Sequence, residues 1–194
     1  MTAKRAAIIG GVRTPFVKAG TVFRDFGSQD LGAHVLREVV GKYDLRSLEE
    51  IWFGTVLLDP RTPNWAREMA YKAGLPKEVY AQSVSNNCIS GLVAVTGLAD
   101  RINSGRISSG LAGGVESMSR PALVYQEVIA DIFYKLGRER TFSGKLSLGL
   151  SAIKNLGKFL PKQLGVSEPS TGLPMGKHME ITAKQLGISR ESQD

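Results

Sequence analysis

"EVYAQSVSNNCISGLVAVTGLADRINSG" covers residues 78–105 and changes character halfway along. "EVYAQSVS" (78–85) has the aromatic and β-branched content of a strand. From Ile89 the chain becomes an apolar run with the length of a helix. Cys88, the only cysteine in 194 residues, stands at the junction. A strand passing into a helix across a short turn is half of a parallel β–α–β unit.

The same alternation repeats on either side. "RAAIIGGVRTPF" (5–16) reads as an opening strand closed by Gly, Thr and Pro. "DLGAHVLREVVGKY" (30–43) puts Leu31, Val35, Leu36 and Val39 on one helical face, with Ser28 or Asp30 to cap its start and Gly41 to help end it. "EEIWFGTVLL" (49–58) is a second strand. "TPNWAREMAYKAGLP" (62–76) is a helix, with Pro63 near its first position, Gly74 at its end and Pro76 beyond. "RISSGLAGGVESMS" (106–119) is a further strand ending in glycines. Strands and helices in alternation predict a layered α/β domain with a mixed, mainly parallel sheet covered by helices.

The pattern changes near Arg120, so residues 1–120 and 121–194 are expected to form separate parts. Residues 121–174 lack clear strands and are basic: within 121–165, Lys135, Arg138, Arg140, Lys145, Lys154, Lys158 and Lys162 stand against Glu127, Asp131 and Glu139. Ile153, Leu156 and Leu160 form one stripe and Lys154, Lys158 and Lys162 another, a short amphipathic segment interrupted by Pro161. It reads either as a solvated lysine face or as a contact with a membrane surface or partner. "MGKHMEITAKQLG" (175–187) is a helix, and Ser189 with Glu191 and Ser192 begins another just before Asp194. A capping signal so close to the last residue leads us to expect part of a longer chain.

Bulk composition narrows the classes. With 42% hydrophobic and 22% charged residues the chain is of ordinary globular type. No apolar run is long enough for a membrane-spanning helix, and the basic start has too short an apolar stretch for a signal peptide. One cysteine excludes an internal disulfide, and with only His34 and His178 beside it no metal site is expected. A free thiol fits a reducing compartment. The net charge of +7 favours anionic partners such as phosphorylated cofactors. No zinc finger, RNP motif or basic-region helix is present, so nucleic acid is not expected among them.

Cys88 has two readings from the sequence. Free cysteine is often a small buried packing residue. At the first turn of a helix, however, unpaired N–H groups and partial positive charge favour a thiolate and can bind an oxyanion. Gly91 allows close approach, and "LVAVTGLA" (92–99) is apolar nearly all round, which predicts a buried helix holding the thiol rigidly. A thiol nucleophile needs a base. His34 reads as a surface or packing histidine, His178 as solvent-facing or near a ligand, and neither spacing indicates a dyad.

Five ordered motifs then resemble those of the thiolase family: "RTPF" (13–16), "NWARE" (64–68), "NNCISGL" (86–92), "AGGVESMS" (112–119) and "LPMGKHMEITAKQLGISRESQD" (173–194). The first and last are most similar to thiolases of fatty-acid β-oxidation multienzyme complexes. The resemblance implies a thiolase-like layered fold, here its N-terminal half with the start of a helical loop domain from 121. It implies an acyltransferase in which Cys88 attacks the keto carbonyl of a 3-ketoacyl-CoA, releases acetyl-CoA and holds the acyl group until a second coenzyme A takes it, or the reverse Claisen condensation. The Cys88 backbone N–H would form part of an oxyanion hole, and Met175 would line the substrate channel. Coenzyme A would be a co-substrate, with no cofactor permanently bound. The basic 121–165 segment would face coenzyme A phosphates or a membrane surface. A homo-oligomer is implied, with a complementary half or a β-oxidation subunit as partner, in the cytoplasm or, in a eukaryote, the mitochondrial matrix or peroxisome.

Thiolases are about twice this length, and their second half carries a Gly-His-Pro motif with the activating histidine and a Cys-x-Gly motif with a second cysteine. Neither motif occurs here. This chain alone is therefore expected to be incomplete and inactive. The alternatives are a ketoacyl-synthase-like condensing enzyme, which has a similar cysteine but a different surround, and a non-catalytic partner subunit of a split thiolase.

Overall fold

A computed structural model describes residues 5–45, 47–161 and 167–194. They fall into two units, Met1–Ala122 and Leu123–Asp194. In the first, helix α1 (Ser28–Tyr43) is followed by strand β1 (Glu50–Gly54), helix α2 (Trp65–Lys72), strand β2 (Tyr80–Val84), helix α3 (Ser90–Asn103) and strand β3 (Gly110–Gly114). The strands form one sheet in the order β2-β1-β3, parallel throughout, with Ile51 opposite both Ala81 and Leu111.

Alternation along β1 assigns the two faces. Ile51 and Phe53 join Ala33 and Leu36 of α1, Trp65, Ala66, Met69 and Ala70 of α2, and Ala81 of β2 in a buried core. Trp52 and Gly54 point the other way, to α3: the Trp52 ring fills the space where Gly97 has no side chain, and Gly54 meets the backbone of Ser90. The helices therefore cover both faces, as a parallel sheet requires.

Local signals set the ends of these elements. Asn64 caps α2, its side chain accepting from the Arg67 N–H. Gly74 turns the chain away at a φ of +80°. At α1 the cap is Gly27, not Ser28 or Asp30. Asp30 contributes from inside the helix, its carboxylate accepting the Gly27 N–H at 2.8 Å. That helix runs past Gly41 and ends at Asp44 in the left-handed region.

The structure departs from the sequence pattern in two places. Residues 5–16 form no strand: Ile8 and Ile9 are each 86% exposed and pair with no strand among the described residues. An apolar extended run has strand character, but it becomes a strand only where another ladder is available to it. Nor is α3 buried all round. Ser90, Ala94 and Leu98 face the sheet, whereas Leu92 is 62% exposed.

The second unit is helical. It contains α4 (Glu127–Arg138), α5 (Phe142–Lys154), α6 (Met175–Gln185) and α7 (Arg190–Gln193). The α4 and α5 helices pack together. Between them Glu139 accepts from the Thr141 hydroxyl and N–H, and Thr141 caps α5 by accepting from the Gly144 N–H. Edge-to-face ring contacts join Tyr125, Phe133 and Phe159. The amphipathic stretch is not one helix: α5 stops at Lys154, a single 3-10 turn covers Leu156–Lys158, and Lys162 lies outside the described residues. The capping signal at Ser189 is met, its hydroxyl accepting from the Ser192 N–H at the start of α7. No helix among the described residues is long and apolar enough to cross a membrane.

Candidate active site

The direction of α3 decides where Cys88 lies. Its first turn meets Gly54 and Gly114 at the carboxyl ends of β1 and β3, and farther along Leu98 meets Gly110 at the start of β3. At its far end the Arg101 guanidinium donates to Glu50, the first residue of β1. The helix thus runs antiparallel to the strands, and its N-terminal end stands over the carboxyl edge of the sheet. Ligands of open parallel sheets bind at that edge.

Cys88 is exposed, in the turn between β2 and α3. This excludes the buried packing reading within the unit described. The turn is tight. Asn87 has a φ of +48°, in the left-handed region that side-chain-bearing residues adopt sparingly. The Ser90 hydroxyl, 3% exposed as a residue, accepts from the Asn86 N–H at 2.8 Å and donates to the Asn87 carbonyl at 2.6 Å. Among the described residues no side chain caps α3. The Ser90 N–H already donates to the Asn87 carbonyl, and the partial positive charge of the helix start favours an anion beside it.

Glycine makes this placement possible. A methyl group on Gly54 would stand 2.6 Å from both the Ser90 oxygen and the Gly91 nitrogen, and one on Gly91 would stand 3.4 Å from the Gly114 Cα. Gly54, Gly91 and Gly114 thus let the helix end rest directly on two strands.

The "GGVESMS" run ties the surrounding loops together. Glu116 accepts from the Thr55 hydroxyl at 3.2 Å and from the Val56 and Leu57 N–H groups at 2.8 and 3.2 Å. The Ser117 hydroxyl donates to the Phe26 carbonyl, and the Ser119 hydroxyl accepts from the Gly20 N–H. The loop after β3 is thereby joined to the loop after β1 and to the segment before α1. Neither Ser90 nor Glu116 stood out in the sequence. A serine at the first position of a helix carries no mark of a buried hydroxyl, and Glu116 read as part of a strand end and of the "AGGVESMS" motif, with no role of its own.

The remaining candidates lie elsewhere. His34 is exposed on α1 and lines a cavity of about 540 Å³ with Val12, Phe23 and Phe26, whose walls do not include Cys88. His178, in the second unit, is half-buried, with Nε2 2.8 Å from the Thr171 hydroxyl. Met175 opens α6 and is exposed.

Fold and turn together define a class: a parallel α/β chain that presents a single cysteine at the carboxyl edge of its sheet. Comparison with known proteins supplies the family. Residues 6–194 match the family model "Thiolase, N-terminal domain", and the chain belongs to the thiolase family. It is similar to 3-ketoacyl-CoA thiolases of Escherichia coli (strain 55989 / EAEC) and Klebsiella pneumoniae (strain 342), with 36% and 37% identity over 192 residues, 98% of this chain and 44% of each relative. Among solved structures, the Acat5 thiolase of Ascaris suum in complex with coenzyme A superposes with a TM-score of 0.70 at 24% identity, over 93% of this chain and 42% of that one. The Bacillus anthracis acetyl-CoA acetyltransferase gives 0.68 at 22%, over 93% and 41%. These two likenesses establish the thiolase fold. The chain spans less than half the length of the relatives it matches.

Proposed function

We propose that this chain supplies the nucleophile of a thiolase-type acyltransferase acting on 3-ketoacyl-CoA, and that Cys88 carries the acyl group. The observation that carries this reading is an exposed Cys88 at the uncapped start of α3, over the carboxyl edge of a parallel sheet, in a chain of the thiolase family. The thiolate would add to the C3 carbonyl, and the resulting oxyanion would be met by N–H groups at the helix start. Cleavage of the C2–C3 bond leaves an acyl-thioester on Cys88 and, once C2 takes up a proton, acetyl-CoA. The thiol of a second coenzyme A then takes the acyl group and frees the sulfur. Coenzyme A as co-substrate is supported by the Ascaris suum relative, which was crystallised with it.

The proton must pass through a base, and neither His34 nor His178 is assigned that role. The base belongs to a complementary half, which makes the isolated chain inactive. The β-oxidation role, a reducing compartment and homo-oligomeric assembly remain part of the same proposal, and Met175 is proposed to line the acyl channel. In the second unit, α5 exposes Phe142, Leu146, Leu150 and Ile153, and its only charged residues are Lys145 and Lys154. That composition favours an anionic surface, either coenzyme A phosphates or lipid, as its contact.

The test is iodoacetamide labelling of Cys88, followed by intact mass, with and without acyl-CoA. A primed nucleophile reacts faster in the folded than in the unfolded chain and is protected by acyl-CoA. Equal rates with no protection would sink the assignment. Thiolysis of a 3-ketoacyl-CoA is expected only when the complementary half is added, and turnover by this chain alone would refute the missing base.

A further inference from the structure

We infer that Ser90 is a positioning residue for Cys88: its buried hydroxyl closes the turn on both sides of the cysteine and holds the thiol in its reactive placement. The inference rests on the reading of Cys88 as the nucleophile and adds the group that aims it.

Little else holds the turn. Its backbone hydrogen bonds are long: the Ile89 N–H donates to the Asn86 carbonyl at 3.3 Å and the Ser90 N–H to the Asn87 carbonyl at 3.2 Å. The hydroxyl makes the two shorter ones, accepting from Asn86 N–H at 2.8 Å and donating to Asn87 C=O at 2.6 Å. These partners lie on the residues immediately before Cys88, and Ser90 itself is two residues after it. One oxygen therefore bridges the backbone across the cysteine. Only a group that donates and accepts at once can do this, which a hydroxyl does and a methyl does not.

The same bond holds Asn87 in its left-handed conformation. Unusual backbone conformations of this kind persist where the surroundings over-determine them. Here the surroundings are specific. Ser90 is fixed from below by Gly54, where even a methyl group would collide with the Ser90 backbone, and Gly91 is seated beside Gly114. The hydroxyl is thus anchored to the sheet rather than to the loop it controls. Deleting it leaves the Asn86 N–H and the Asn87 carbonyl without their short bonds, and the turn is free to relax. A displacement of about 1 Å at a reacting group costs on the order of a hundredfold in rate when chemistry depends on orientation. The sulfur sits one residue from the strained position, so the displacement falls on it first.

The experiment compares the rate of Cys88 alkylation by iodoacetamide at neutral pH in the wild-type 194-residue chain, Ser90→Ala and Ser90→Thr, each folded and in urea, with and without acyl-CoA. We expect Ser90→Ala to lose about tenfold in folded-state rate and its protection by acyl-CoA, with its urea rate unchanged, and Ser90→Thr to restore both by keeping the hydroxyl. A folded Ser90→Ala chain that alkylates and is protected like wild type overturns the inference. So does a Ser90→Thr chain that behaves like Ser90→Ala. If instead wild-type Cys88 reacts no faster folded than unfolded, the nucleophile reading fails, and the role of Ser90 fails with it. A measurement on the wild type stands apart from any folding defect. The Asn86 amide should be protected from hydrogen exchange by its bond to the Ser90 oxygen, and rapid exchange there would refute the geometry.

Discussion

Gly54 at the end of β1 lies against the backbone of Ser90 so closely that a methyl group on it would stand 2.6 Å from the Ser90 oxygen. The atoms in the way are backbone, not the movable end of a side chain. Gly54→Ala must therefore lift the first turn of α3 off the sheet. We expect a loss of about 2 kcal/mol in unfolding free energy, the usual range for overpacking. Urea titration followed by tryptophan fluorescence measures it, since Trp52 and Trp65, the two tryptophans of the chain, both lie in the first unit. An unchanged midpoint would show that α3 does not rest on Gly54.

Glu116 joins two loops that the strands alone leave apart. Its carboxylate serves the Thr55 hydroxyl and two backbone N–H groups, and Thr55 is itself buried, its N–H bonded to the Val84 carbonyl at 3.1 Å. Charge-assisted hydrogen bonds are stronger than neutral ones. Glu116→Ala is expected to cost about 1–2 kcal/mol, and Glu116→Gln less, because one amide oxygen still accepts. Hydrogen exchange at Val56 and Leu57 should rise in Glu116→Ala, and unchanged protection there would argue against the bridge.

These contacts show what the sequence made legible. Alternation located α1, α2, α3 and three of the strands, because apolar periodicity follows from covering a sheet on both faces. The Cys88 position followed from the same pattern. Residues 5–16 failed because Ile8 and Ile9 report hydrophobicity and not the presence of a partner strand. The same holds for α3: "LVAVTGLA" is apolar nearly all round, yet only the face of Ala94 and Leu98 meets the sheet. Ser90 was illegible because its role depends on Gly54 pressing from another strand, a contact 36 residues away in the chain.

Acid should weaken the first unit through Asp30. Its carboxylate is held below the ordinary value of 3.8, first by the hydrogen bond from Lys72 and further by the Gly27 N–H, against an opposing effect of burial. A carboxyl group lowered on folding stabilises the fold above its unfolded pKa and loses that contribution as pH falls through the folded value. The pairing of α1 with α2 through Asp30 and Lys72 is thus intact at neutral pH and lost progressively below about pH 4. Asp59, held down to about 2 by the Arg61 guanidinium, loses its contribution over a window extending lower still. Urea midpoints from pH 7 to 3 should fall less steeply in Asp30→Asn than in wild type, and parallel curves would exclude Asp30 as a source.

The far end of α3 gives the sharpest contrast with its first turn. Glu50 is 4% exposed. It accepts from the Arg101 guanidinium through Oε1 and from the Trp52 indole at 2.9 Å through Oε2. Glu50→Ala leaves the indole N–H and the guanidinium without their acceptor, and the unpaired indole donor alone is expected to cost about 1–3 kcal/mol. The effect on Cys88 should differ. Helix α3 runs 14 residues, Arg101 lies near its end, and the turn bearing the thiol is held independently by Ser90, Gly54 and Gly114. Glu50→Ala should therefore lower the urea midpoint while the folded chain alkylates at the wild-type rate, whereas Ser90→Ala should lower the alkylation rate as well as the midpoint. Thiol reactivity falling in Glu50→Ala together with stability would mean that α3 moves as a rigid rod, with no separate control at its first turn.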